Sequence, residues 1–256
     1  MSPHPAPTES PAPSPRSGSG SGRMVAGLLL GTLAFLVLAL LGPWAWQQLR
    51  GEAPSARAAH ATESAQALPW RITPAGDGLA EVFGVVIGRD PIARIGRTWP
   101  AEAPEMKVAL VRDPQGMFTL EAYLESVRAG FVQGRLVLTG SADPATLQRW
   151  AERATAREPQ PSGSYRLTLA AEDADRARQS PIVALTFLPA ARFDEAVALE
   201  RFGPAPERIV TADALVHLLY PARGLVVSLD PQGRGKPVLQ YVAPRDFAQL
   251  RAPLVR

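Results

Sequence analysis

From Pro69 to Arg256 the chain has a single histidine, His217, and the whole sequence has no cysteine. A Ser-His-Asp or Cys-His arrangement needs a base beside its nucleophile. With one histidine and no Gly-x-Ser-x-Gly turn, neither has a motif to rest on. A histidine-rich zinc site is excluded by number, and the absence of thiols removes disulfides, thiolate metal sites and an N-terminal lipid-bearing cysteine. His217 lies in Ala214-Leu215-Val216-His217-Leu218-Leu219-Tyr220, where strand alternation sets it opposite Val216 and Leu218. It reads as a partly buried structural residue and a candidate interaction residue, with catalysis the rarer alternative.

Carboxylate chemistry needs no histidine. Glu121 with Glu125, and Asp173 with Asp175, are the candidate pairs. Glycosidase chemistry requires two carboxyls facing each other across a cleft, about 5–10 Å apart, and nothing in the spacing indicates that. The stretch Gly84-Val85-Val86-Ile87-Gly88 lacks the Gly-Lys-Ser/Thr that completes a phosphate loop. One basic cluster stands out. Arg94 and Arg97 lie one turn apart on a helix expected to start at Asp90-Pro91, with Arg89 at its beginning. They could meet phosphate head groups or an acidic partner, although a solvated charged face is the commoner meaning of such a cluster. These residues imply no catalytic centre, no cofactor and no metal.

The strongest signal for where the protein works is Met24–Trp46, an uncharged, Leu-rich run closed by Trp44 and Trp46. At about 1.5 Å per residue it covers about 34 Å, enough to cross a hydrocarbon core of about 30 Å. The tryptophans sit where an interfacial aromatic belt belongs. No small-residue cleavage site directly follows, so the run is expected to remain as a single anchor. Arg16 and Arg23 before it balance Arg50 and Arg57 after it, so the positive-inside count is a tie. The short amino-terminal side favours N-inside, with the bulk of the chain in the periplasm. Gly27, Gly31 and Ala34 fall on one helix face, a candidate surface for a weak homodimer, or simply the ordinary small-residue content of a membrane helix.

Around the span, residues 1–23 form a Pro/Ser/Gly-rich tail, which is expected to be disordered, and residues 47–68 an Ala-rich linker. From residue 69 onward, 23 Lys and Arg face 21 Asp and Glu, a balance that argues against a nucleic-acid surface. Asp113-Pro114-Gln115-Gly116 recurs as Asp230-Pro231-Gln232-Gly233, each copy between two apolar runs. Asp-Pro starts a turn and Gly permits a positive φ, so two hairpins follow. Helices are expected after Asp90-Pro91, after Asp143-Pro144, over Ala171–Arg178 and over Ala191–Phe202, the last stopped by Gly203-Pro204. Further strands are expected at Gly134–Thr139, Tyr165–Ala170 and Ile182–Leu188. The expected class is α+β: one transmembrane helix, then antiparallel hairpins with packed helices. Residues 69–157 and 165–256 are candidate related helix–hairpin subdomains, separated by a break at 158–164.

The C-terminal pattern Phe202-Gly203-Pro204, His217-Leu218-Leu219-Tyr220-Pro221, Gly224-Leu225 and Leu239-Gln240-Tyr241-Val242 resembles a group of uncharacterised proteobacterial single-span envelope proteins. Each half is also similar, more faintly, to the SmpA/OmlA (BamE-like) modules, in which a helix ending in Gly-x-Pro leads into a short sheet. Phe202-Gly203-Pro204-Ala205-Pro206 departs from that spacing, so this resemblance implies a fold more than a role. The expectation is a membrane-anchored extracytoplasmic binding or assembly module acting through contacts with an envelope protein. The alternatives are an envelope enzyme using carboxylates and a structural spacer. A deep cleft holding Glu121 or Asp175 would favour the enzyme; an exposed apolar groove or open sheet edge would favour binding.

Overall fold

A computed structural model describes residues 67–255. The tail, the span with Gly27, Gly31 and Ala34, and most of the linker lie outside the described residues. Among the described residues no helix is long and apolar enough to cross a membrane.

Thirteen strands dominate the described residues, and the expected α+β class is corrected to a mainly β architecture. The strands β1 (Thr73–Pro74), β2 (Ala80–Val82) and β3 (Val85–Ile87) form a small sheet. The large sheet uses β4 (Lys107–Arg112), β5 (Phe118–Ala129), β6 (Val132–Gly140), β7 (Ala156–Pro159), β8 (Tyr165–Thr168), β9 (Ile182–Pro189), β10 (Glu207–Val210), β11 (Val216–Tyr220), β12 (Leu225–Leu229) and β13 (Val238–Val242). Their order is β10-β11-β12-β13-β9-β6-β5-β4-β8-β7, antiparallel at every step. The two expected subdomains are therefore one sheet: β6 and β9, from opposite halves, pair over Gly134–Gly140.

Three of the expected helices form. Asp143 caps α1 (Pro144–Glu152) by accepting from the Thr146 N–H at 2.9 Å, and Asp194 caps α3 (Glu195–Phe202) by accepting from Val197 at 2.9 Å. The short α2 (Ala171–Ala177) lies between them, and α4 (Ala248–Arg251) is followed by a 3-10 helix at Ala252–Val255. The segment after Asp90 behaves differently. Residues Ile92–Arg97 make a 3-10 helix, and Asp90 is not its cap. The Asp90 carboxylate instead accepts from the Val86 N–H at 2.9 Å, while Ile92 and Ala93 donate to the Ser180 and Arg178 carbonyls. Tertiary pairing captures the first-turn donors that an α-helix would have left to its cap. After Gly203-Pro204 the chain enters β10, an edge strand of the large sheet.

Both Asp-Pro-Gln-Gly copies are hairpin turns, one joining β4 to β5 and the other β12 to β13. In each the glycine N–H donates to the aspartate carbonyl at 3.0 Å, with the glycine at positive φ. They part after that. Met117 closes the first turn by donating to Asp113 Oδ1, whereas Asp230 reaches on to the Gly235 N–H and holds a longer loop. The copies are equivalent turns of one sheet, not of two subdomains.

Alternation gives the large sheet two buried faces. Leu120, Leu136, Leu185 and Leu239 point to the main core, beneath the small sheet, the 3-10 helix and helices α1 to α3, which contribute Trp150, Ala177, Ala198 and Phe202. Trp99, Leu120, Leu136, Trp150, Leu185, Leu219, Leu239 and Tyr241 are buried, and Leu147 and Phe193 pack at the margin of the main core. Leu219 belongs to the other face, where Phe247 and Leu250 cover Val226 and Val242.

The tip of the β2–β3 hairpin enters the main core. Its loop is Phe83-Gly84, with φ of 54° and 73°. A positive φ at both positions suits the right-handed twist of a hairpin but is unusual for a bulky side chain. The Phe83 ring is fully buried, 5.5 Å from the Phe187 and Tyr241 rings and 5.6 Å from Trp99. The β5–β6 hairpin also carries a phenylalanine at its tip, but Phe131 is 71 % exposed. Phe83→Ala should therefore cost about 3–5 kcal/mol through cavity formation, and Phe131→Ala about 0.5 kcal/mol or less. Denaturant melts of the full chain would compare the two, and equal losses would contradict this account.

Candidate binding groove

Four segments that are distant in sequence meet beside the N-terminal end of the described chain. Pro69 and Trp70 lead in from the linker, Phe131–Gln133 form the β5–β6 hairpin tip, Pro189–Phe193 join β9 to α3, and Val197, Arg201 and Phe202 lie on α3. Together with Leu239 they line a groove of about 370 Å³. Its position follows from specific ties. Tyr241 donates its hydroxyl to the Pro69 carbonyl at 2.9 Å, anchoring the incoming segment to β13. Gly203, at φ 78°, ends α3 just after Phe202, and Tyr220 donates to its carbonyl at 2.9 Å. Phe202 then packs on Tyr220 with ring centroids 5.9 Å apart.

The walls are aromatic and the charges are of one sign. Trp70 and Phe131 stand 5.4 Å apart, and the Arg201 guanidinium lies over both, 5.3 Å from Trp70 and 5.7 Å from Phe131. A guanidinium over an aromatic face is favourable by about 0.5–1 kcal/mol at exposed sites. Arg192 is the other charged lining residue, and it is exposed, with no carboxylate partner within ion-pair distance among the described residues. A neighbouring hollow of about 510 Å³ runs from Arg192 past the start of α3 to Asp230, Gly233 and Gly235.

Among the described residues, none of the candidate interaction or carboxylate residues lines this groove. Arg94 and Arg97 sit in the last turn of the 3-10 helix, where a spacing of three aligns side chains, and Arg89 precedes it 4.0 Å from Asp90. His217 is buried on the second sheet face with both ring nitrogens engaged, Nδ1 at 2.8 Å from Ser228 Oγ and Nε2 at 3.1 Å from Thr211 Oγ1. Burial lowers its pKa below the ordinary 6.5, partly countered by the Asp213 charge.

The carboxylate pairs are dispersed as well. Glu121 is buried on the second face and accepts from the Tyr123 hydroxyl, while Arg166 lies 4.9 Å from the Tyr123 ring centre. Burial pushes its carboxyl above the ordinary value of 4.5, against the Tyr123 hydrogen bond and the Arg166 charge. Glu125 pairs with Arg135 at 2.6 Å and Asp175 with Arg178 at 2.6 Å. Asp173 is buried and takes a two-pronged contact from Arg153, with Nε at 2.9 Å, tying α2 to the end of α1. Among the described residues no cluster of three or more His, Asp or Glu could hold a metal.

Sequence reasoning missed Trp70, Phe131, Arg192 and Arg201. One signal was available: Gly130-Phe131 sets an aromatic residue in a tight turn, a place usually held by Gly, Pro, Asn, Asp or Ser. No family model, no curated protein and no solved structure matches the chain.

His217 gives a pH prediction. Between its ordinary pKa and the lower folded value, the unfolded chain binds the proton first. Its contribution to stability is therefore fully present above about pH 6.5 and is lost as the pH falls through that window. His217→Gln removes the titration, so the Tm difference between wild type and variant should shift against wild type from about pH 7.5 to about pH 5. A constant difference across that range would contradict the assignment.

Proposed function

We propose that the chain is a membrane-anchored extracytoplasmic binding or assembly module of the bacterial cell envelope, working by contact at the groove rather than by catalysis. The observation that carries this reading is an exposed apolar groove with Phe131 and Val197 open to solvent and Arg201 stacked on Trp70. Aromatic residues and arginine are the side chains from which interaction hot spots are usually built. Phe131, 71 % exposed at a hairpin tip, is better accounted for by a ligand than by folding. The carboxylates that an enzyme would need do not line the groove: Glu121 lies under Tyr123 on the second sheet face, and Asp175 is spent on Arg178. In this reading Met24–Trp46 is the inner-membrane anchor, N-inside, and the sheet domain faces the periplasm, where an envelope protein partner is within reach.

A photo-crosslinking residue at Phe131 of the full chain in intact cells tests the proposal, with Arg157 on the exposed edge strand β7 as control. Adducts should form at position 131 but not at 157, and should fall when Val197→Trp fills the groove of the same chain. Equal yields at both positions, or yields indifferent to Val197→Trp, would overturn the reading.

A further inference from the structure

We propose that the groove beside Trp70 takes a single acyl chain bearing an anionic head group, drawn from the membrane to which the protein is tethered. The inference rests on the binding-module reading and names the ligand class of that same site. It begins from what the lining lacks. Apart from the Trp70 indole, only Gln133, Arg192 and Arg201 bring polar side chains to the wall. An extended peptide would carry an N–H and a carbonyl at nearly every residue into that wall, each costly to bury without a partner. A methylene chain carries none. The volume of about 370 Å³ sits near the lower end of the range for small-molecule sites, about 300–1,000 Å³, which suits one acyl chain better than two.

Charge supplies the second support. Both charged residues of the wall are arginines, whose planar forks match carboxylate and phosphate oxygens. Glu200 is the acid nearest Arg201, at 3.6 Å with both side chains largely exposed, so it competes only weakly for that guanidinium. Lys236 and Arg135 lie near Arg192, while Asp194, Glu195 and Asp230 line the neighbouring hollow rather than the groove. The Lys236 ammonium is held below its ordinary pKa by burial first, and then by the charges of Arg192 and Arg135.

Position is the third support. Pro69 and Trp70 line the groove immediately after the start of the described chain. If the anchor ends at Trp46, residues 47–68 can extend no more than about 73–79 Å. On that reading the groove is tethered within this reach of the bilayer surface, where single-chain amphiphiles are concentrated.

The test uses the full chain in phosphatidylcholine nanodiscs, irradiated with palmitate that carries a mid-chain diazirine and then mapped by peptide mass spectrometry. Label should concentrate on peptides containing Phe131–Gln133 and Phe193–Val197. Labelling should fall about tenfold in the double variant Arg192→Gln, Arg201→Gln, the scale of one lost charge-assisted contact. The neutral diazirine hexadecanol should label wild type no better than palmitate labels that variant. Val197→Trp should block labelling with both charges intact, and thermal melts of each variant confirm that it is folded. Even labelling across the domain, equal labelling by acid and alcohol, or insensitivity to Val197→Trp would overturn the inference. If Phe131 crosslinks a protein in cells while palmitate leaves the groove unlabelled, the binding reading stands and this inference fails. If neither reagent reacts at the groove, both fail.

Discussion

Phe83 is the constraint on which the rest of the domain depends. A bulky side chain at φ 54° costs about 1–3 kcal/mol in backbone strain and persists only where its surroundings over-determine it. Those surroundings are three aromatic rings from three different parts of the chain. Trp99 follows the 3-10 helix, Phe187 belongs to β9 at the centre of the large sheet, and Tyr241 belongs to β13. Thr98 adds a hydroxyl donated to the Phe83 carbonyl at 2.7 Å, so the turn is held from its backbone as well as its side chain. Full burial of a phenylalanine and its ring–ring contacts, each about 0.5–1.5 kcal/mol, offset the strain.

Two of the three ring partners of Phe83, Trp99 and Tyr241, also hold something on their other side. The Trp99 indole donates to the Arg128 carbonyl at 3.0 Å near the end of β5, steadying the base of the hairpin that carries Phe131. Tyr241 holds Pro69 by its hydroxyl and so fixes where Trp70 stands. One buried aromatic cluster thereby positions two walls of the groove. The third wall, α3, is set separately: Phe202 packs on Tyr220, and Arg223 donates to the Phe202 carbonyl at 2.7 Å. The groove is an open space between these supports, and its exposed ring, Phe131, stands outside the core.

The second face of the large sheet shows how a sheet can be buried on both sides while the three longer helices, α1 to α3, lie on only one. Near the β10 edge the C-terminal segment supplies Phe247 and Leu250 as a lid. Elsewhere that face includes Tyr123, Val137 and Leu188, together with polar groups that satisfy one another, Glu121 with Tyr123 and His217 with Ser228 and Thr211. Glu121 and His217, which look reactive in the sequence, thus hold hydrogen bonds within this face. A buried, hydrogen-bonded carboxylate or imidazole serves folding when no open cleft reaches it.

Local signals were legible in the sequence alone because their physics is local. Asp143 caps its helix through a contact three residues away, Gly203 ends α3 because it tolerates positive φ, and both Asp-Pro-Gln-Gly copies turn the chain, whereas the expected start of α3 at Ala191 moves to Glu195, where Asp194 caps it. Strand alternation likewise separated Val216 and Leu218 from His217. What depended on distant partners was not legible. Asp90 had the look of a cap until Val86 claimed its carboxylate, and the two halves merged because β6 found β9. The clearest case is the pair of phenylalanines beside turn glycines, Phe83-Gly84 and Gly130-Phe131. Their sequences differ little in kind, yet one ring is buried at the centre of the core and the other is 71 % exposed at the groove. Burial is decided by what a hairpin tip meets after the sheets assemble, and no window of sequence around the turn contains that information.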